Sequence, residues 1–242
     1  IGAKDFWNIN ERRIKGNMGE GLVVAVLDTG INHDHASFAD IGSDGYDHTN
    51  PLGSGNYVPG SFCDTVDPTF CNDKLIGAWD MVQSSQDPTS PEDSDGHGSH
   101  TASTAAGNVV HAATLRGPTT DLVRDVSGVA PHANIIAYDV CIDSCPGSAL
   151  LAAVEQVVID AAALPNGIHA LNYSISGGDD PYNSSVELGF LNATAAGIYV
   201  AASAGNDGPG AGTSDHASPW VSTTAALTHN RTLVNTVGGM TS

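Results

Sequence analysis

The 242-residue sequence predicts an α/β fold, a mostly parallel β-sheet with helices on both faces. Three observations lead there. Apolar runs without polar alternation suit strands buried on both sides. Stretches with leucine, alanine and valine at helical spacing alternate with them, which is the pattern of βαβ units. The length suits one large α/β domain, and 40% hydrophobic residues suffice for its core.

In chain order, GLVVAVLDTG (21–30) reads as the first buried strand, ending in Asp-Thr-Gly. Residues 44–73 are rich in Gly, Pro, Asn and Asp and read as a surface insertion held by a disulfide. KLIGAWDM from Lys74 reads as the next strand. HGSHTASTAAGN from His97 is small and alanine-rich, a helix stopped at Gly107-Asn108. ANIIAYDV from Ala133 is a strand, and GSALLAAVEQVVIDAAALPNG a long helix ended by Pro165 and Gly167. HALNYSIS from His169 is a strand, then SSVELGFLNATAAG is a helix with Ser184 or Ser185 as its cap before Glu187. GIYVAASAGN and WVSTTAAL are the last two strands. Residues 84–96 and 207–219 are turn-rich loops. No repeat or linker divides the chain, so residues 1–242 read as part of one domain.

Composition excludes some partners. Eight basic residues stand against 27 acidic ones, a net charge of −19. Nucleic acid and anionic membranes are therefore not expected partners, since phosphate-neutralising charge is absent. No apolar run approaches the roughly 20 residues that span a bilayer. The opening IGAKDFW has no basic-then-apolar leader and reads as a mature start. The cysteines form two close pairs, Cys63 with Cys71 and Cys141 with Cys145. Neither pair has the two-residue gap of a zinc knuckle, and local disulfides in a secreted protein are the better reading. Four Asn-x-Ser/Thr triplets, at Asn172, Asn183, Asn192 and Asn230, are common enough by chance to carry little weight.

In open parallel sheets, ligands bind beyond the carboxyl ends of the strands. That rule selects Asp28, the Ser174–Gly178 segment and Asn206, with His97 at a helix start facing the same crevice. Taken singly, each has a plainer role in turn chemistry. Together, VAVLDTGIN, DGHGSHTAS and ASAGNDGPG, in that order, resemble three of the four signature segments of the subtilisin-like serine proteases, the subtilases. The resemblance runs from about residue 20 onward.

The resemblance implies that Asp28 is the triad aspartate, His97 the histidine base and Asn206 the oxyanion donor. His100, one turn on, is expected to pack on or beside the same helix. YSISGG resembles the family's Ser-Leu-Gly-Gly segment, so Ser174, Ile175, Ser176 and Gly177 would pair with an extended substrate backbone. Ser176 departs from the usual glycine. Ala204 and Gly205, with Ala202 and Ser203, would border the pocket for the residue before the cut. No cofactor is required for such chemistry. Structural calcium is common in the family, and the acidic stretch at Asp40, Asp44 and Asp47 is the segment to consider, with a solvated turn expected. The base should work as it loses its proton near 6.5.

The fourth segment, Gly-Thr-Ser-Met-Ala-x-Pro, is not found. GTSDHASP (212–219) lacks Met-Ala and follows Asn206 too closely, so Ser214 is not expected to be the nucleophile. Ser242 is the final residue. The chain then reads as the N-terminal portion of a larger subtilase with an inserted protease-associated domain. Its partners would be a polypeptide substrate and the C-terminal remainder carrying the serine, without which the sheet is expected to be unstable. Two rivals remain. A metal-dependent hydrolase could use His33, Asp34 and His35, or His97 and His100, but neighbouring side chains diverge and no Glu-bearing helix motif is present. A non-catalytic member could have kept the scaffold for binding.

Overall fold

The computed structural model describes residues 2–11, 14–82, 90–178, 180–228, 236–237 and 240–241. Asn230, Ser242 and the first half of the 84–96 loop fall outside them. The chain runs through α1 (Ala3–Trp7), β1 (Asn10–Glu11), β2 (Ile14–Lys15), β3 (Val23–Asp28), α2 (Phe62–Thr65) and β4 (Leu75–Asp80). There follow α3 (His97–Ala106), β5 (Val110–Arg116), β6 (Asp121–Val126), β7 (Asn134–Asp139), α4 (Gly147–Ala163), β8 (Ala170–Tyr173) and α5 (Ser185–Ala195). The chain ends with β9 (Tyr199–Ser203), β10 (Ser222–Thr224), β11 (Thr236–Val237) and β12 (Met240–Thr241).

Six strands form one sheet in the order β10-β9-β8-β3-β7-β4, and every pairing is parallel. The apolar runs read as strands because both faces need burial. In β3, Val23, Ala25 and Leu27 enter one core cluster and Val26 the other. In β7, Ile136 and Tyr138 alternate with Ile135 and Ala137 in the same way. α4 and α5 cover the first face, and α3 covers the β3–β7 part of the second.

α4 buries Ala149, Leu150, Ala153, Val154 and Val157, a helical stripe, and ends at Leu164, before Pro165. Its buried Asp160 accepts from Tyr138 Oη at 2.6 Å, Trp79 Nε1 at 2.8 Å and Gln156 Nε2 at 2.7 Å. α3 can lie close to the sheet because its buried positions are Gly98, Ala102 and Ala106.

Three features differ from the sequence reading. The 44–73 segment is not merely superficial. Val58, Cys63, Phe70 and Cys71 are buried, and all but Val58 pack with Phe38 and Leu75 in the α3-side core. Within it, the expected disulfide Cys63–Cys71 is formed, as is the expected Cys141–Cys145 elsewhere. β5 and β6 form an antiparallel hairpin that the sequence did not announce. Its residues are almost all exposed, so no buried face imposed an alternating pattern. The short β1–β2 pairing was equally unmarked.

Among the described residues, no helix is long and apolar enough to cross a membrane.

Candidate active site

β3 is the centre of the sheet, with β7 on one side and β8 on the other. The chain covers one face with α3 before β7 and the other with α4 after it, so the order of strands turns about β3. The carboxyl end of β3 is therefore where a ligand site is expected. Asp28 stands there, 1% exposed.

Its carboxylate is fully engaged. Asp28 Oδ1 lies 2.6 Å from His97 Nδ1 and accepts the Thr29 N–H at 2.9 Å. Asp28 Oδ2 accepts the Thr101 hydroxyl at 3.0 Å. Thr101 is one helical turn beyond His97 and fixes the carboxylate plane from the same helix. Nothing in the spacing of the signature segments marked Thr101.

The start of α3 is held against the Asp-Thr-Gly turn by small residues and one acid. A Cβ at Gly98 would collide with the Gly30 carbonyl, so only glycine lets the helix close on the turn. Gly98 N donates to Thr29 Oγ1 at 2.8 Å. Asp93 does the capping that Gly96 cannot. Its Oδ1 accepts from Thr29 Oγ1 at 2.9 Å and Gly96 N at 2.7 Å, and its Oδ2 from Ser99 N at 2.7 Å and Ser99 Oγ at 2.6 Å. Burial opposes the Asp93 charge, but these hydrogen bonds outweigh it and hold the carboxyl below its ordinary range. Asp93 is a second residue that the sequence reading passed over.

His97 keeps its side chain 48% exposed, with Nδ1 given to Asp28 and Nε2 on the open side. The Asp28 hydrogen bond raises the imidazole pKa above its usual value; burial opposes it, and the charges of Asp28, Asp95 and Asp93 add to it. The expectation of a midpoint near 6.5 therefore moves upward. Where neutral His97 is the base, kcat/KM of the full-length gene product should rise with pH through a midpoint above about 6.5. A pH–rate profile checks this, and a midpoint below that value would remove His97 from the role.

Of the other sequence-selected residues, Ser174, Ala202, Ser203, Ala204, Gly205 and Asn206 line one trough, and Ile175, Ser176 and Gly177 do not. An open cavity of about 560 Å³ is lined by Thr104 of α3, Asn172, Ser174, residues 201–206 and residues 224–226. It thus includes Ala204, Gly205 and Asn206. A second cavity of about 540 Å³ shares those three residues and is closed by Gly208–Gly210 and Gly212–Ser214. Asn206 is exposed on the trough. Ile175 turns partly into the core, and Ser176 is exposed without a left-handed backbone, so serine is accommodated where the family has glycine. Gly177 has φ 125°, a conformation that requires glycine.

His100 and Ser214 border these cavities, and the remaining candidates lie apart from them. His100 is exposed beside a recess lined by Thr101, Thr104, Asn172 and Ser174. Ser214 Oγ donates to the Asp215 carbonyl at 3.2 Å. His33 pairs with Glu92 at 2.6 Å and stacks on Phe70, while His35 Nδ1 accepts from Ser37 N. Asp44 is taken by His132 at 2.9 Å and by Tyr46 N at 3.2 Å. Among the described residues, no group of three or more His, Cys, Asp or Glu side chains could hold a metal ion.

Comparison with known proteins gives one consistent result. Residues 19–237 match the family model described as the subtilase family. The chain is 37% identical over 242 residues to subtilisin-like protease SBT1.4 of Arabidopsis thaliana, covering 89% of this chain and 28% of that protein. It is 35% identical to SBT1.7 of the same plant, covering 87% of this chain and 27% of that protein. The chain thus spans little more than a quarter of the length of these relatives. Among solved structures, S41 psychrophilic protease superposes with a TM-score of 0.55 at 22% identity, covering 93% of this chain and 58% of that one. Sphericase does so with 0.55 at 21% identity, covering 95% and 61%. These two share the fold. With the family model matching nearly the whole chain, and a sheet whose central strand ends in the buried aspartate that meets a helix-start histidine, the chain belongs to the subtilase family.

Proposed function

We propose that these residues form the larger part of the catalytic domain of a secreted serine endopeptidase, whose nucleophilic serine is supplied from outside the 242 residues. The observation that carries this reading is the 2.6 Å Asp28–His97 contact at the carboxyl end of β3, on the helix whose Thr104 joins Asn206 and Ser174 in lining the trough.

The chemistry follows from which atoms are free. Asp28 occupies Nδ1, so Nε2 is the nitrogen left to take a proton. A serine hydroxyl is too weak a nucleophile alone, and neutral His97 would accept its proton and return it to the leaving amine. Buried Asp28 fixes the tautomer and stabilises the imidazolium as it forms. The Asn206 carboxamide would donate to the oxyanion of the attacked carbonyl. The peptide would lie as an added strand along Ser174–Gly177, which supplies backbone hydrogen bonds and no sequence requirement. No metal or cofactor enters these steps.

The fold supports an external nucleophile. On the α3 side, β8, β9 and β10 present Asn172, Ala201 and Ser203 half-buried and Tyr199 59% exposed. A parallel sheet is normally covered on both faces, so this half is the natural seat for the element bearing the serine. The two short-range disulfides suit an oxidising, extracellular compartment.

Fluorophosphonate labelling tests the proposal. The full-length gene product should label at one serine beyond these residues, and this chain alone should not label. Labelling of Ser214, or none in the full-length protein, would overturn it.

A further inference from the structure

Below the Ser174–Gly178 segment lies a buried histidine–carboxylate pair that the proton transfer above does not use. His216 Nδ1 is 2.6 Å from Glu187 Oε1, and His216 Nε2 is 2.8 Å from the Ile175 carbonyl. Glu187 Oε2 accepts from Ser218 Oγ, and Trp220 Nε1 donates to the Glu187 carbonyl at 2.8 Å. His216 N donates to Gly177 O at 3.2 Å. The preceding Asp215 accepts the Gly177 N–H at 3.0 Å and donates its own N–H to Ala204 O at 3.2 Å. Both walls of the trough are therefore tied through Asp215 and His216.

The site is built for this pair. His216 is 1% exposed and Glu187 0%. Gly178 has φ 79°, and a Cβ there would collide with Glu187 Oε1 and lie 2.7 Å from His216 Nδ1. The glycine of the segment leaves room for the pair. His216 itself has φ 51°, a conformation that side-chain-bearing residues adopt only when their surroundings enforce it.

Counting protons gives the consequence. A carbonyl only accepts, so Nε2 must carry hydrogen to bond Ile175. Nδ1 faces a carboxylate whose other oxygen is already used, so one proton must also lie between Nδ1 and Oε1. With it, the pair is neutral overall and every donor has an acceptor. Without it, a buried negative charge remains and a nitrogen lone pair faces oxygen.

We infer that His216 and Glu187 are positioning residues that hold Ser174–Gly178 ready to pair with a peptide only while they share that proton, and so set an alkaline limit on substrate binding. The substrate half of this inference rests on the endopeptidase reading. The groups facing the imidazole are Glu187 from α5, Asp215 in the chain and Tyr173 from β8, which meets the ring edge-on at 5.2 Å. Burial, then the Glu187 charge, raises the Tyr173 phenol, which stays neutral. Burial disfavours the His216 cation, but the Glu187 and Ile175 hydrogen bonds and the charges of Glu187 and Asp215 outweigh it, so its pKa is raised. A raised value means the clasp is complete below the ordinary histidine value of about 6.5 and is lost as pH climbs through the higher folded-state value. His97 works in the opposite sense, since it must lose its proton to act.

The test is KM for a tetrapeptide nitroanilide from pH 6.5 to 10, using the full-length gene product. Wild-type KM should climb about tenfold, the cost of losing roughly one hydrogen bond's worth of ordering in the segment. In Glu187→Gln, the carboxamide donates to neutral Nδ1 and still accepts from Ser218, so every bond survives without the shared proton. Its KM should stay flat over the same range, while the acid limb of kcat, set by His97, is still present. Equal alkaline limbs in the two proteins would overturn the inference and leave His216 a core residue. Nitrogen-15 shifts of the labelled His216 ring provide a second readout independent of turnover. Both nitrogens protonated at neutral pH supports the clasp, and a single neutral tautomer overturns it. Absence of hydrolysis in every variant sinks the endopeptidase reading and with it the role in substrate binding, while the ring shifts still judge the clasp.

Discussion

Asp28→Asn should leave the fold intact and lower kcat of the full-length gene product by about 10⁴-fold, the order of magnitude found when a triad aspartate is neutralised in other serine proteases. The substitution is nearly isosteric, and Asp28 is held by Thr29 N, Thr101 Oγ1 and His97 Nδ1 in a buried place. With its oxygen on Thr101, the amide NH₂ would face both Nδ1 and the Thr29 N–H, forcing the lone pair onto Nδ1 and a donor onto Nε2. With its oxygen on Thr29 and Nδ1, the NH₂ donates to Thr101 Oγ1 and the tautomer survives, but the charge that stabilises the imidazolium is lost. Burst kinetics on a peptide ester together with the melting temperature separate the outcomes. A large kcat loss with an unchanged melt is the expected result, and a loss below tenfold would remove Asp28 from the chemistry.

Asn206→Ala should cost about 10²–10³-fold in kcat with little change in KM, because an oxyanion donor acts on the transition state more than on bound substrate. The physical reason lies in where Asn206 sits. It is exposed at the trough in the turn after β9, where Ala204 N bonds the Thr224 carbonyl and the Asp215 N–H bonds the Ala204 carbonyl. Gly205, with φ 74°, turns the chain there, and a Cβ on it would collide with the Asp215 carboxylate. The backbone is thus fixed from both sides while the carboxamide stays free to meet a ligand. Steady-state kinetics on the same ester measure the effect. A rise in KM at constant kcat would instead mark Asn206 as a general binding residue.

Asp28→Asn and Asn206→Ala differ in what they leave behind. The first removes the orientation of the base, and the second leaves proton transfer intact but exposes the oxyanion to water. Combined, their losses should fall short of additive, because residues that act in one step are coupled.

Much of the molecule was legible in the sequence because local physics wrote it there. A strand buried on both faces must be apolar along its interior, and β3, β4 and β7 show this in 23–27, 75–79 and 135–138. A helix packed tightly on a sheet must be small on one side, and α3 shows it at Gly98, Ala102 and Ala106. Asp28, His97 and Asn206 were selected because each stands where a strand ends or a helix begins, and the family's segments surround them. The β5–β6 hairpin was missed for the converse reason. A hairpin exposed on both faces has no burial pattern to leave in its residues.

Glu187 shows what local pattern cannot decide. Three residues after Ser184, it has the spacing of a helix-capping acid, and Ser184 Oγ does accept the Glu187 N–H at 3.4 Å. Yet its carboxylate turns inward to His216 and Ser218, about thirty positions later in the chain. Asp93 likewise meets Thr29, and Thr101 meets Asp28, 64 and 73 positions away in the chain. The sequence by itself determined the six strands of the parallel sheet, α3, α4 and α5, and the three polar residues at their ends, since those depend on periodicity and neighbours within a few positions. Tertiary structure alone decided which side chains orient that site, because a hydrogen bond between residues far apart along the chain leaves no period in the sequence to read.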